Sequence, residues 1–147
     1  MITKNVPVKK SIIENFCALS ELIGPDKVIW RYDPILFTNE IDVEYHFKYF
    51  EELAKRLYEH TKRCVISFVD LYKKTITNTK EFNMREPSQS EMRCLAERFV
   101  NIACRYGIQV LSCAENINLS KEGVEHGCCI DQSLIEDICG YHIGVKK

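Results

Sequence analysis

The chain has 147 residues, of which 46% are hydrophobic and 28% are charged, and its formal net charge is −1. This balance predicts one folded domain, and the near-neutral charge argues against nucleic acid as the main partner, because phosphate binding needs a basic face. No stretch approaches the ~20 apolar residues of a membrane helix, and the first residues lack an apolar signal core, so we expect a cytoplasmic protein with no membrane contact.

The first two elements are predicted to be a helix and a strand. Apolar residues recur at helical spacing over residues 9–23, and a Gly-Pro pair follows directly. Residues 27–32 are rich in β-branched and aromatic side chains and lie between two proline-containing turns, which is typical of a strand.

A second helix and strand follow. Residues 42–60 carry an apolar helical face, and the two histidines in this helix, His46 and His60, are expected at its surface or boundary. Residues 64–69 are almost continuously apolar, as in a parallel strand that is covered on both faces.

The connection over residues 70–87 is longer than most loops in a compact domain. Loops of this kind at the carboxyl end of a strand often bind ligands. Its residues Tyr72, Lys73 and Lys74 suit anionic groups and are candidate substrate-binding residues. The alternative is a long surface loop without a function.

The last elements are indicated by helix caps. Residues 88–91 match a capping box and predict a third helix that ends near residue 106. Residues 108–113 read as a third strand, and residues 131–139 as a short last helix that begins at an aspartate cap. A glycine follows each of these helices, as is common at helix ends.

The alternation of helices and strands predicts an α/β fold with three parallel strands and flanking helices. Since a closed (β/α) barrel needs about 250 residues, residues 1–147 are interpreted as a single, incomplete (β/α) barrel segment. Both edges of a three-stranded sheet would be unpaired. We therefore expect a homo-oligomer or a complementing barrel half as the partner.

Each predicted strand is followed by an acidic residue, namely Asp33, Asp70 or Glu115. Ligands of parallel α/β folds bind at the carboxyl ends of the strands. Three carboxylates there could hold a metal, bind amino groups or transfer protons, so all three are candidate catalytic residues. The alternative is that they cap helices or pair with an arginine.

Asp33 is the strongest of these candidates because of its neighbours. Pro34 favours an extended Asp33, so its side chain is expected to project from the strand tip. Alternation places Arg31 on the same side as Asp33, where a buried guanidinium needs a partner or a ligand. Tyr32 is a candidate substrate-binding residue. An internal ion pair of Arg31 with Asp33 or Asp70 is the simpler alternative.

A candidate metal site consists of Cys113, His126, Cys128 and Cys129. Thiolates and neutral histidine are good ligands for zinc or iron, although the chain contains no Cys-x-x-Cys pair. Packing of reduced thiols in a glycine-containing loop is one alternative. A cysteine nucleophile activated by His126 is another.

Several runs of the sequence together resemble the family called domain of unknown function 1848. They are residues 28–36, 45–46, 49–50, 64–74, 112–115 and 129–131. The resemblance implies the middle and later part of a barrel domain related to radical S-adenosylmethionine enzymes, with an iron–sulfur cluster and S-adenosylmethionine as cofactors. The chain itself has no Cys-x-x-x-Cys-x-x-Cys triad, so no cofactor is assigned to it.

Three interpretations of the function stay open at this point. The first is part of a barrel enzyme with a carboxylate-lined site. The second is a non-catalytic metal- or thiol-binding module, and the third is an inactive assembly subunit.

Overall fold

The structure is a computed structural model that describes residues 9–69, 83–113, 117–128 and 131–142. The helices are α1 (Lys9–Ile23), α2 (Val43–Leu57), α3 (Gln89–Arg105) and α4 (Gln132–Cys139), with a 3-10 turn at Ser120–Glu122. The strands are β1 (Trp30–Ile35), β2 (Arg63–Phe68), β3 (Gln109–Ser112) and β4 (Glu125–His126). None of the helices within these ranges is long and apolar enough to cross a membrane.

The strands form one open, parallel sheet in the order β1-β2-β3-β4. The predicted α/β class is therefore confirmed, and the three predicted strands are parallel neighbours in chain order. The fourth strand, β4, is an addition to the prediction. It pairs Glu125 with Leu111 and His126 with Ser112, and two residues are too few to show a periodic pattern in sequence.

Strand β1 lies three residues further along the chain than predicted. Asp33 and Pro34 are therefore inside the strand and not beyond its tip. The pairing with β2 shifts register between Tyr32 and Ile35, and the Asp33–Pro34 peptide bond is cis. Proline has no N–H to donate to a neighbouring strand, which fits the position of β1 at the end of the described sheet.

The helix ends follow their sequence signals. Asp42 accepts a hydrogen bond from the backbone N–H of Tyr45 and begins α2, which ends at Leu57, three residues before the predicted end. Ser88 and Glu91 form the predicted capping box of α3. Asp131 caps α4 as predicted. These side chains satisfy N–H groups that a helix leaves unpaired in its first turn.

Four aromatic side chains, Trp30, Tyr32, Phe50 and Phe99, form the centre of the core and are called the aromatic cluster. The rings of Phe50 and Phe99 stack with centroids 3.8 Å apart, so α2 contacts α3 directly. Trp30 stacks on Phe50 at 4.7 Å, and Tyr32 meets both phenylalanines edge-on. Since both phenylalanines are fully buried, each contributes about 1.5–3 kcal/mol through burial.

The side chains at the alternate positions of each strand point to the other face of the sheet. Arg31 stands beside Val65, and Val65 stands beside Leu111, so these side chains share the face opposite the aromatic cluster. At the amino end of β2, Arg63 donates to the carboxylate of Asp131 at 2.9 Å. Arg63 is the first residue of β2, and Arg31 on the neighbouring strand lies beside Val65, two residues further along the sheet.

Helix α1 has apolar residues on two sides. Ile13 and Phe16 pack against the core. Ile12, Leu19 and Leu22 are 45%, 46% and 82% exposed, respectively. The helix therefore shows an apolar surface that no described element covers.

Candidate functional site

An ion pair between Arg31 and Asp33, the second and fourth residues of β1, is the main feature of this strand. The Nε and one terminal nitrogen of Arg31 donate to the same oxygen of Asp33, Oδ2, at 2.9 and 2.6 Å. This hydrogen bonding raises the pKa of Arg31. The side chains lie on the same side of the strand, as alternation predicts, and the internal ion pair proposed as the simpler alternative is present.

Cys113 joins this pair from the end of β3. Its thiol is close enough to the guanidinium of Arg31 to contribute to the raised pKa of the arginine, after the larger effect of Asp33. The backbone N–H of Cys113 donates to Ile66 of β2 at 3.1 Å, which fixes its position, and the residue is 3% exposed. A cation, a carboxylate and a thiol therefore meet here, and the three residues are called the Arg31 site.

A cavity of about 310 Å³ adjoins the Arg31 site along the edge of β1. Arg31 and Asp33 line it from the strand, and Tyr45 and His46 line it from α2. Its volume lies at the lower end of the range of about 300–1,000 Å³ that is typical of small-molecule sites. The edge of β1 thus places charged and aromatic groups around a space that a small ligand can enter.

His46 is a buried residue, and the expectation that it lies at the surface or boundary is wrong. It is 5% exposed and follows the same helical spacing as Phe50, Ala54 and Leu57, the other buried residues of α2. Its Nε2 lies 2.8 Å from the carbonyl oxygen of Leu36 and its Nδ1 lies 3.0 Å from the hydroxyl of Tyr32.

These contacts define the proton positions, because the Leu36 carbonyl can only accept. Nε2–H of His46 donates to Leu36, and Nδ1 accepts the hydrogen of the Tyr32 hydroxyl. Burial lowers the pKa of His46 and raises the pKa of Tyr32. The histidine is therefore held in its neutral form. Sequence reasoning missed this contact, although spacing from Phe50 would have placed position 46 on the buried face.

The candidate metal ligands are only partly described. His126 and Cys128 are exposed and Cys113 is buried, whereas Cys129 lies outside the described residues. Within the described ranges, no three His, Cys, Asp or Glu residues are placed to hold a metal ion. The four-residue metal site therefore stays a prediction.

Five other candidates lie outside the described residues, namely Asp70, Tyr72, Lys73, Lys74 and Glu115. Strand β2 ends at Phe68 and β3 ends at Ser112, and these carboxyl ends lie on the same side of the sheet as the carboxyl end of β1, which contains Asp33. The shared site of Asp33, Asp70 and Glu115 stays a prediction.

Stability should depend on pH through His46. Its pKa is lowered in the folded chain relative to the unfolded value of about 6.5, so the unfolded chain takes up the proton at a higher pH. The stabilisation is present above about pH 6.5 and is lost as the pH falls through the folded-state pKa. Urea unfolding from about pH 7.5 to about pH 5 should therefore show a falling free energy of unfolding.

The variant His46→Gln should be less stable at neutral pH by about 1–3 kcal/mol, because Tyr32 or Leu36 loses its partner. Its free energy of unfolding should change less with pH than that of the original chain. His60→Gln is the control, since it removes another histidine and leaves the contacts of His46 intact. Equal pH profiles for the original chain and His46→Gln would contradict the assignment.

Comparison with known proteins places the chain in a family. A search of the curated proteins and a search of the solved structures find no match. The family model described as a domain of unknown function, DUF1848, matches residues 1–147. This match covers the whole chain and agrees with the resemblance in residues 28–36 and 64–74. The chain therefore belongs to the DUF1848 family.

Proposed function

We propose that the chain belongs to a barrel-type enzyme and that the Arg31 site binds a small zwitterionic ligand. The observation that carries the proposal is the Arg31–Asp33 pair on the wall of a cavity that runs along β1. An α-amino acid group has a carboxylate beside an ammonium. Arg31 is suited to the carboxylate, because a guanidinium forms charge-assisted hydrogen bonds and its second terminal nitrogen, Nη1, does not donate to Asp33. Asp33 is suited to the ammonium.

The geometry of the pair supports a ligand. Arg31 uses two nitrogens on a single oxygen of Asp33, and the other oxygen, Oδ1, has no hydrogen bond to a described residue. The side chains of Arg31 and Asp33 are 47% and 21% exposed. An ion pair with this exposure contributes only about 0–1 kcal/mol to stability. A contribution to stability therefore explains poorly why these two charged side chains lie beside a cavity.

Cys113 lies beside Arg31 but is not part of the cavity wall. Arg31 is the cation next to its thiol, and Cys113 is 3% exposed and does not line the cavity. We propose binding and orientation of the ligand as the roles of Arg31 and Asp33.

A relationship to radical S-adenosylmethionine enzymes requires an iron–sulfur cluster, and the described residues do not provide a set of ligands for one. The sequence has no Cys-x-x-x-Cys-x-x-Cys triad, and no group of three metal-binding side chains is placed together in the described ranges. No step of the proposal involves an iron–sulfur cluster. S-adenosylmethionine nevertheless ends in an amino acid group, so it is one candidate for the zwitterionic ligand.

Calorimetric titration tests the site with methionine and S-adenosylmethionine as probes. Arg31→Gln should weaken binding about 10- to 150-fold, the equivalent of a charge-assisted hydrogen bond of about 1.5–3 kcal/mol. Asp33→Asn should also weaken binding, because the amide cannot pair with an ammonium as a charge.

Arg63→Gln is the matched control. It also removes an ion-paired arginine from the same sheet, but at the amino end of β2 and away from the cavity. Binding should be unchanged in this variant. If neither probe binds, or if Arg31→Gln and Arg63→Gln behave alike, the zwitterion site is wrong.

A second candidate function is assembly, favoured by the exposed apolar surface of α1. Leu22 is 82% exposed, and Leu19, three residues earlier on the same helix, is 46% exposed. Strand β1 also has no neighbour on one side among the described residues. We propose that a second copy of the chain or a complementing barrel half covers this region.

Sedimentation velocity at several protein concentrations tests the self-association. The chain should sediment as a species larger than a monomer at high concentration, and Leu22→Gln should shift it toward the monomer, because burial of one leucine contributes about 1.5–3 kcal/mol. Glu21→Gln, at the neighbouring exposed position, is the control. A monomer at every concentration would rule out association between copies of the chain.

A further inference from the structure

A second cavity lies between α1 and α2, on the other side of Tyr32 from the Arg31 site. Its volume is about 520 Å³. Arg31, Asp33 and Cys113 do not line it, although it shares Tyr32, Tyr45 and Leu53 with the smaller cavity. It is called the α1–α2 cleft, and its chemistry differs from that of the Arg31 site.

The floor of the α1–α2 cleft is apolar and aromatic. The rings of Tyr45 and Tyr49 lie 4.5 Å apart at an angle of 35°, and Ile13 and Leu53 complete the surface. Tyr49 is still 36% exposed. Partly exposed rings in a concave space offer their faces to a planar ligand, since offset stacking of aromatic rings is favourable.

The rim of the cleft is positively charged. Lys9, Lys10 and Arg56 provide three cations, and Glu52 is the single carboxylate in the lining. Arg56 is paired with Glu52 and Lys10 with Glu14. Lys9 forms no ion pair with a described residue, and its Nζ lies over the face of the Tyr49 ring, 5.2 Å from the ring centre. A cation without a carboxylate partner is thus present at the ring on which a ligand would stack, and its flexible side chain can move to the anionic group of that ligand.

We infer that the α1–α2 cleft binds a planar aromatic anion. The ring of the ligand stacks on Tyr45 and Tyr49, and its carboxylate, sulfonate or phosphate group lies near Lys9. The volume suits such a molecule, and the positive rim attracts its charge. This inference does not depend on the function proposed for the Arg31 site, because the two cavities have different charged residues.

Fluorescence titration of the full chain with anilinonaphthalene sulfonate tests the inference, because this probe combines planar rings with one anionic group. The folded chain should bind the probe at one saturable site. Tyr49→Ala should weaken binding roughly 3- to 10-fold through the loss of one stacking ring. Lys9→Gln should weaken binding and reduce its dependence on salt.

Two controls separate the cleft from other surfaces. Tyr58→Ala removes a tyrosine that is similarly exposed, at 40%, but lies at the end of α2 outside the cleft, and it should leave binding unchanged. Arg31→Gln should also leave binding unchanged, which distinguishes the cleft from the Arg31 site. Circular dichroism verifies that each variant is folded. If Tyr49→Ala does not fold, Lys9→Gln tests the inference alone, because Lys9 is exposed and its replacement leaves the core intact.

The inference is overturned if Tyr49→Ala and Lys9→Gln both bind the probe as the original chain does. It is also overturned if uncharged phenylnaphthylamine binds equally well, because the rim then has no part in selecting the ligand. Loss of zwitterion binding in Arg31→Gln has no bearing on these outcomes.

Discussion

The stacking of Phe50 against Phe99 is the contact on which the rest of the structure depends. It joins α2 to α3, and Trp30 and Tyr32 of β1 pack onto the same rings. Because alternate residues of a strand face opposite sides, fixing Trp30 and Tyr32 against the helices directs Arg31 to the other face. The aromatic cluster thus determines on which face of the sheet the charged residues of β1 lie.

Local signals predict much of the fold. The caps at Ser88 and Asp131 involve only residues that are close in sequence, so the starts of α3 and α4 can be predicted from sequence.

The exceptions depend on contacts between distant residues. The register shift in β1 depends on its pairing with β2. Helical spacing from Phe50 places position 46 on the buried face, but the hydrogen bonds of His46 are made to Tyr32 and the Leu36 carbonyl, which lie 14 and 10 residues away. Of the candidate site, the Arg31–Asp33 contact follows from strand alternation, whereas the approach of Cys113 depends on the sheet order.

The edge of β1 brings two kinds of binding chemistry together. The smaller cavity has an arginine and an aspartate, which suit a ligand with both charges, and the α1–α2 cleft has tyrosine rings and a positive rim, which suit an aromatic anion. Tyr32 and Tyr45 form the wall between them. Since Tyr32 is held by His46 and by the aromatic cluster, this wall is anchored in the core.

The most direct test is a nuclear magnetic resonance titration that follows the side-chain Nε–H groups of the arginines. On addition of methionine or S-adenosylmethionine, we predict a saturable shift of the Arg31 Nε–H, which donates to Asp33 in the free chain. The Arg63 resonance, at the amino end of β2, should stay in place. An Arg31 resonance that does not move, or that moves together with Arg63, would contradict the assignment of the Arg31–Asp33 pair as the ligand site.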